Sequence, residues 1–208
     1  MIDFIASLFR RPPSTPRPPF DVQLTGPRVM LRMPEIGDWR AWHALRDLSQ
    51  DTLKPWEPKW PAHALTYGYY CSLLRRTWRD WRSGKAYAFA IFARDKQAPV
   101  LIGGVTLSDI QRAAAQKGTV GYWIGRPYTG QGYMTEALGL VCSFAFSQLK
   151  LQRVEASCLP KNEASKTVLQ RCGFEEEGYA KAYLQINGQR EDHLLWGKNN
   201  LDSKAKAK

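Results

Sequence analysis

The stretch Gly121–Gly132 reads GYWIGRPYTGQG and leads into Met134–Leu149, where apolar residues recur at helical spacing. This predicts a strand, a glycine-rich turn and a helix start. The first turn of a helix leaves its backbone N–H groups without partners, so such a junction is a ready anion site. A diphosphate-bearing cofactor is its natural guest. Two familiar phosphate loops are excluded by inspection. Gly125 and Gly130 have Walker spacing, but Gln131 stands where the lysine belongs. Gly130-Gln131-Gly132 opens like a dinucleotide fingerprint, but Thr135 occupies the third glycine position.

The 208 residues suit one domain with a sizeable core. No apolar run approaches the roughly 18 residues of a membrane span. Met1–Phe9 is apolar but has no basic leader, and Arg10-Arg11 follow it, so it makes a poor signal peptide and reads better as a short amphipathic helix. Cys71, Cys142, Cys158 and Cys172 form no CxxC pair, and the three histidines are scattered. Metal binding is therefore not expected, and reduced thiols in a cytoplasmic protein are the simpler reading. Cys142 falls on a helical apolar stripe, where a small buried cysteine is ordinary. A net charge of +11 favours anionic partners, whether a polyphosphate cofactor, nucleic acid or an RNA-rich particle.

Residues 1–19 read as an extension ending in the proline-rich linker RPPSTPRPP, residues 20–200 as the folded domain, and 201–208 as a basic tail. Expected strands are Arg28–Met33, Ala86–Phe92, Val100–Ile110, Gly118–Ile124, Val154–Cys158, Gly178–Ile186 and Gln189–Gly197. The last two flank Asn187-Gly188, a favoured hairpin turn. Expected helices are Asp38–Ser49 with Asp38 as N-cap, Leu65–Arg82, Met134–Leu149, and one from about Glu163 to Arg171 stopped by Gly173. In the second, Tyr67, Tyr70, Cys71, Leu74, Trp78 and Trp81 should face the core. Arg75, Arg79 and Arg82 line a neighbouring face that is either solvated or a contact for RNA. Leu53–Pro61 reads as a loop. The ensemble is α+β, a mixed, mostly antiparallel sheet flanked by helices.

The order strand, glycine turn, helix, strand, Asn-started helix resembles the GNAT acetyltransferase superfamily. Its usual turn is Gln/Arg-x-x-Gly-x-Gly/Ala, to which Thr129, Gly132 and Met134 correspond; Thr129 and Met134 depart from that pattern. Within the superfamily the chain is most similar to the ribosomal-protein-alanine N-acetyltransferase branch. The carrying motifs are Leu53-Lys54-Pro55-Trp56-Glu57-Pro58, Asn162-x-x-Ser165, Cys172-Gly173-Phe174-x-x-Glu177-Gly178-Tyr179-Ala180, Tyr183-Leu184-x-Ile186-Asn187-Gly188 and Glu191-Asp192-His193.

The resemblance implies a V-shaped cleft binding acetyl-CoA as co-substrate, with no metal. Tyr122, Trp123 and Ile124 would pair their backbone with the pantetheine arm. The amides of Thr129, Gly130, Gln131, Gly132, Tyr133 and Met134 would hold the pyrophosphate, and Asn162 would bond the pantetheine. Lys161, Lys166 and Arg171 are candidates for the nucleotide phosphate. Thioester oxygen gains charge as the amine adds, and a backbone N–H around Trp123–Ile124 would stabilise it. Many relatives carry a tyrosine acid in the helix after the asparagine; here Leu169 stands there, and Ser165 is the substitute. Glu57 is the candidate to bind the amine or relay its proton, beside Trp56, Asp109 and Tyr183 as acceptor-side residues and His193 as a weaker one. Each has a plainer reading: Asn162 as N-cap, Ser165 as a first-turn polar residue, Glu57 as a loop carboxylate, Asp192-His193 as a structural hairpin pair. The acceptor implied is the N-terminal α-amine of a protein. A small amine such as an antibiotic or polyamine is the alternative, as is a ribosome- or RNA-associated role in which catalysis is secondary.

Overall fold

In the computed structural model, residues 22–200 are described. They form one eight-stranded sheet: β1 Leu24–Thr25, β2 Val29–Arg32, β3 Tyr87–Ala93, β4 Val100–Gln111, β5 Lys117–Ile124, β6 Arg153–Cys158, β7 Glu175–Ile186 and β8 Gln189–Asn199. Their order is β1-β2-β3-β4-β5-β6-β8-β7. All neighbours are antiparallel except β5 and β6, which run parallel. The helices are α1 Trp39–Leu48, α2 Gln50–Leu53, α3 Tyr67–Ser83, α4 Tyr133–Ser147 and α5 Glu163–Arg171. The expected 1–19 extension and 201–208 tail lie outside the described residues.

One face of the sheet carries the larger core. Leu138, Val141 and Ala145 of α4 pack with Ile102, Leu107 and Val154 of the strands, all with side chains out of contact with water. Burial of this apolar surface is the main stabilising term. On the other face α1 rests on β3 and β4 through Leu45, Ala90, Phe92 and Leu101. Tyr70 and Trp81 of α3 are buried as expected, but Tyr67 is 51% exposed. It lies in the first turn of α3, where Trp39 of α1 covers one edge of its ring at 5.5 Å.

Three local expectations are corrected. Asp38 precedes α1 but does not cap it. Its carboxylate is drawn instead to Arg32, at 2.6 and 2.8 Å, and to the Glu35 N–H, at 2.8 Å. A bidentate guanidinium is a stronger partner than a helix amide. The Leu53–Pro61 segment is not all loop: α2 ends in it and Lys54–Trp56 form a 3-10 turn, with Pro55 tolerated because first-turn N–H groups need no partner. The short strand β1 was not foreseen, because two residues carry no periodicity.

The ends of α5 are as read. Asn162 Oδ1 accepts the Ser165 N–H at 3.1 Å, and Gly173, at φ 75°, terminates the helix before buried Phe174. Asn187 and Gly188 both have positive φ, as the expected two-residue turn requires. The Leu138→Ala variant should lose about 2–5 kcal/mol of stability in chemical denaturation, since its side chain is enclosed on every side.

Candidate active site

Strands β5 and β6 pair only over Lys117–Thr119 and Arg153–Glu155. Beyond Thr119, β5 continues to Ile124 against β4 alone, so the sheet opens into a wedge between β5 and β6. Sheet alternation decides which β5 amides face it. Gly125 N–H donates to Ile102 O at 2.8 Å, toward β4. Counting back by twos, Trp123 and Gly121 also turn their amides to β4, and Tyr122 and Ile124 turn theirs into the wedge. Of the expected Trp123–Ile124 pair, only Ile124 can therefore present an N–H to the cleft; Trp123 is excluded by the alternation.

At the mouth of the wedge, Gly130 and Gly132 adopt φ of 73° and 81°, a region costly for other residues. Gly132 sits at the N-cap of α4 and offers no side chain to cap it. Among the described residues, no acceptor meets the backbone N–H groups of Gly130 to Thr135. The turn is thus a row of free donors at a helix N-terminus, and these donors fit a pyrophosphate.

A brace holds this turn from outside. Arg28 Nη1 donates to the Gln131 carbonyl at 2.9 Å, its Nε meets Asp95 at 3.3 Å, and its guanidinium lies 4.2 Å above the Tyr133 ring. Tyr133 Oη donates to both Asp95 oxygens, at 2.8 and 2.9 Å. The Tyr133 hydroxyl, and after it Arg28, holds the Asp95 carboxyl below its usual range. Glu136 in the first turn of α4 would oppose an anion, but its Oε1 is occupied by the Arg28 and Val29 amides at 2.8 and 3.1 Å. Arg28 carried no signal in the sequence reading because it lies 103 residues from Gln131.

The Tyr122 side chain leaves β5 toward α5. Its hydroxyl lies 2.9 Å from Ser165 Oγ, joining β5 to α5. Burial raises the Tyr122 pKa, and the Ser165 hydrogen bond opposes that rise only in part. Leu169 is fully buried in the larger core, so this position offers the cleft no hydroxyl. Asn162 keeps its Nδ2 for a ligand while its Oδ1 caps α5. Burial pushes the Cys142 thiol up to about 12, which removes it as a nucleophile.

Glu57 does not stand free. Arg46 grips both its oxygens, at 2.9 and 2.7 Å, and Trp60 Nε1 donates to Oε2 at 2.7 Å. The Arg46 guanidinium is stacked 4.2 Å from the Trp60 ring and 4.8 Å from the Trp123 ring. Glu57 O also accepts the Asn187 N–H at 2.9 Å, fastening the loop to the β7–β8 turn. The Glu57 carboxylate is thus committed to three donors of the chain itself. Gly104 makes room for this stack: a Cβ there would fall 2.6 Å from Trp123 Nε1.

The remaining candidates scatter. Asp109 is exposed at a bulge near the paired end of β5, away from Tyr122 and Ile124. Trp56 and Tyr183 are 36% and 46% exposed, Tyr183 resting its ring on buried His193. Asp192 supports the β7 bulge by accepting the Ala182 N–H at 2.7 Å, in keeping with a structural pair. Lys166 is paired with Glu163 at 2.8 Å and Lys161 lies 3.8 Å from Glu191, whereas Arg171 is exposed. On α3, Arg79 lies near Asp80 and Arg82 stacks on Trp78, while Arg75 is exposed. Among the described residues no cluster suits a metal ion, and no helix is long and apolar enough to cross a membrane.

The profile of the acetyltransferase (GNAT) domain matches residues 28–175. A probable N-acetyltransferase of Bacillus subtilis is 42% identical over 116 residues, 56% of this chain and 63% of that protein, so the chain spans under two thirds of that relative's length. The [ribosomal protein uS5]-alanine N-acetyltransferase of Escherichia coli is 33% identical over 177 residues, covering 84% of this chain and 89% of its own. The solved structure of Mycobacterium smegmatis RimJ in complex with CoA-disulfide superposes with a TM-score of 0.81 at 29% identity, over 88% of this chain and 90% of that one. Wedge, anion turn and Asn-capped helix thus occur in a chain that these likenesses place plainly: it belongs to the GNAT family of N-acetyltransferases.

Proposed function

We propose that the chain transfers the acetyl group of acetyl-CoA to the N-terminal α-amine of a protein, with ribosomal proteins as the acceptor class. The observation that carries the cofactor side is the row of free N–H donors from Gly130 to Thr135 at the mouth of the β5–β6 wedge. The acceptor side is supported by the uS5-alanine N-acetyltransferase, similar over most of both chains.

Acetyl-CoA supplies an activated thioester carbonyl. The residues of the chain bind it, polarise it and handle one proton. The amides of the turn, steadied by Arg28, hold the pyrophosphate. The outward amides of Tyr122 and Ile124 line the wedge where the pantetheine arm would run as an added strand, and Asn162 Nδ2 reaches it from α5. Ile124 N–H is the donor positioned toward the carbonyl oxygen. The amine attacks without an acyl-enzyme. An α-amine, with pKa about 7.7–8.0, is partly neutral at physiological pH, whereas a lysine amine near 10.4 is not, so the absence of a free carboxylate base at Glu57 suits an α-amine acceptor. The hydroxyl pair Ser165–Tyr122 protonates the departing thiolate, and the proton that the attacking nitrogen gives up restores the pair, so that one proton passes from amine to sulfur and CoA leaves as the thiol. With its pKa raised, Tyr122 stays protonated throughout the working range.

Four measurements test this reading. Purified protein with acetyl-CoA should acetylate peptides bearing a free N-terminal alanine or serine, located by mass spectrometry, and spare the same peptides when N-blocked. Transfer confined to polyamines or aminoglycosides would overturn the acceptor assignment. Arg28→Met should raise the KM for acetyl-CoA by roughly tenfold with kcat little changed, because a charge-assisted contact to the turn is lost; an unaltered KM would separate Arg28 from the cofactor. Ser165→Ala should lower kcat by about 10- to 100-fold at constant acetyl-CoA KM. The wild-type kcat/KM for peptide should rise with pH as the α-amine is freed and show no alkaline decline below about pH 10 from Tyr122.

A further inference from the structure

A cavity of about 320 Å³ lies between the tip of the β7–β8 hairpin and the segment following α2, lined in part by Gln50, Lys54, Lys59, Trp60, Leu65 and Asn187. Its charge is unbalanced. Lys54 Nζ donates to the neutral Gln50 Oε1 at 2.6 Å and lies 5.4 Å from the Trp60 ring. Lys59 is exposed and makes no ion pair among the described residues. Of the carboxylates nearby, Glu57 is held by Arg46 and Trp60 and Asp51 is paired with Arg126, while Asp47 bonds the Gln50 amide behind Lys54 without forming an ion pair among the described residues. Two ammonium-bearing side chains therefore line a cavity, and neither makes an ion pair among the described residues.

The cavity is also tied to the proposed site of transfer. Trp60 lines it and stacks on Arg46, which in turn stacks on Trp123 of β5. An extended peptide advances roughly 3.3 Å per residue. A chain whose first amine lay beside Trp123 and ran along this stack would bring a residue two to four positions later to the level of Trp60. Resting on the acceptor reading above, we propose that this cavity receives an acidic side chain, aspartate or glutamate, a few residues after the acetylated terminus, with Lys54 and Lys59 as its charge partners. Gln50 and Asn187 add neutral hydrogen-bonding groups, and Trp60 and Leu65 cover the aliphatic part of the side chain.

The test compares peptides with the same free N-terminal residue and either glutamate or glutamine at each of positions three to five. At low ionic strength the wild-type protein should favour the best glutamate peptide by about threefold to tenfold in kcat/KM, as two partly exposed charge pairs allow. The preference should shrink as salt is raised. In Lys54→Gln/Lys59→Gln the ratio should fall to about one, and in Lys59→Glu it should invert, while the KM for acetyl-CoA reports that each variant is folded. Equal rates on the paired peptides in the wild type, or a preference that survives the double substitution, would overturn the proposal. If no peptide is acetylated although acetyl-CoA binds, the parent reading fails, and this one with it.

Discussion

The divergence of β5 from β6 after three paired residues is the constraint on which the rest of the site depends. A parallel pair that continued would satisfy the outward amides of Tyr122 and Ile124 internally and leave nothing for a ligand. By splaying, the sheet leaves a stretch of strand edge open in its middle, a position where unpaired edges are ordinarily avoided. The opening is kept from collapsing on both sides. Behind it, α4 packs its apolar side across β2, β4, β5 and β6. Across it, the Tyr122 hydroxyl reaches Ser165 on α5 and sets the width of the wedge.

The same opening fixes the electrostatics. The turn 129–132 lies where β5 leaves the sheet, so the N-terminus of α4 points at the mouth of the wedge. The single acidic group in that first turn, Glu136, is neutralised as a threat by two backbone donors from the start of β2. Arg28, in the same segment, adds positive charge and fastens the Gln131 carbonyl. On the opposite sheet face, Arg46 stacks between Trp60 and Trp123, with Glu57 balancing its charge. The Glu57 carboxylate is spent on architecture, and in the proposed reaction the proton chemistry would fall to the Ser165 and Tyr122 hydroxyl groups.

Much of this was legible in the chain. The glycine-rich turn, the start of α5 at Asn162, its stop at Gly173 and the Asn187-Gly188 hairpin follow from rules that act within a few residues: free N–H groups, side-chain caps and positive φ. The strands and helices around them follow from apolar periodicity. Local rules failed where a distant partner outbid a near one. Asp38 looks like a helix cap and is taken by Arg32; Glu57 looks like a free loop carboxylate and is taken by Arg46; Trp123 looks equivalent to Ile124 until the pairing with β4 turns its amide away.

By itself, then, the sequence determined the order of elements, the anion-binding turn and the family that this order resembles, because each is encoded in contiguous residues. Only the tertiary structure decided that Tyr122 meets Ser165, that Arg28 braces the turn, that Arg46 binds Glu57, and that Lys54 and Lys59 line one cavity without an ion pair among the described residues. Those contacts depend on where two strands part and on which face of the sheet each side chain emerges. Both are set by packing across the whole sheet, which no local pattern records.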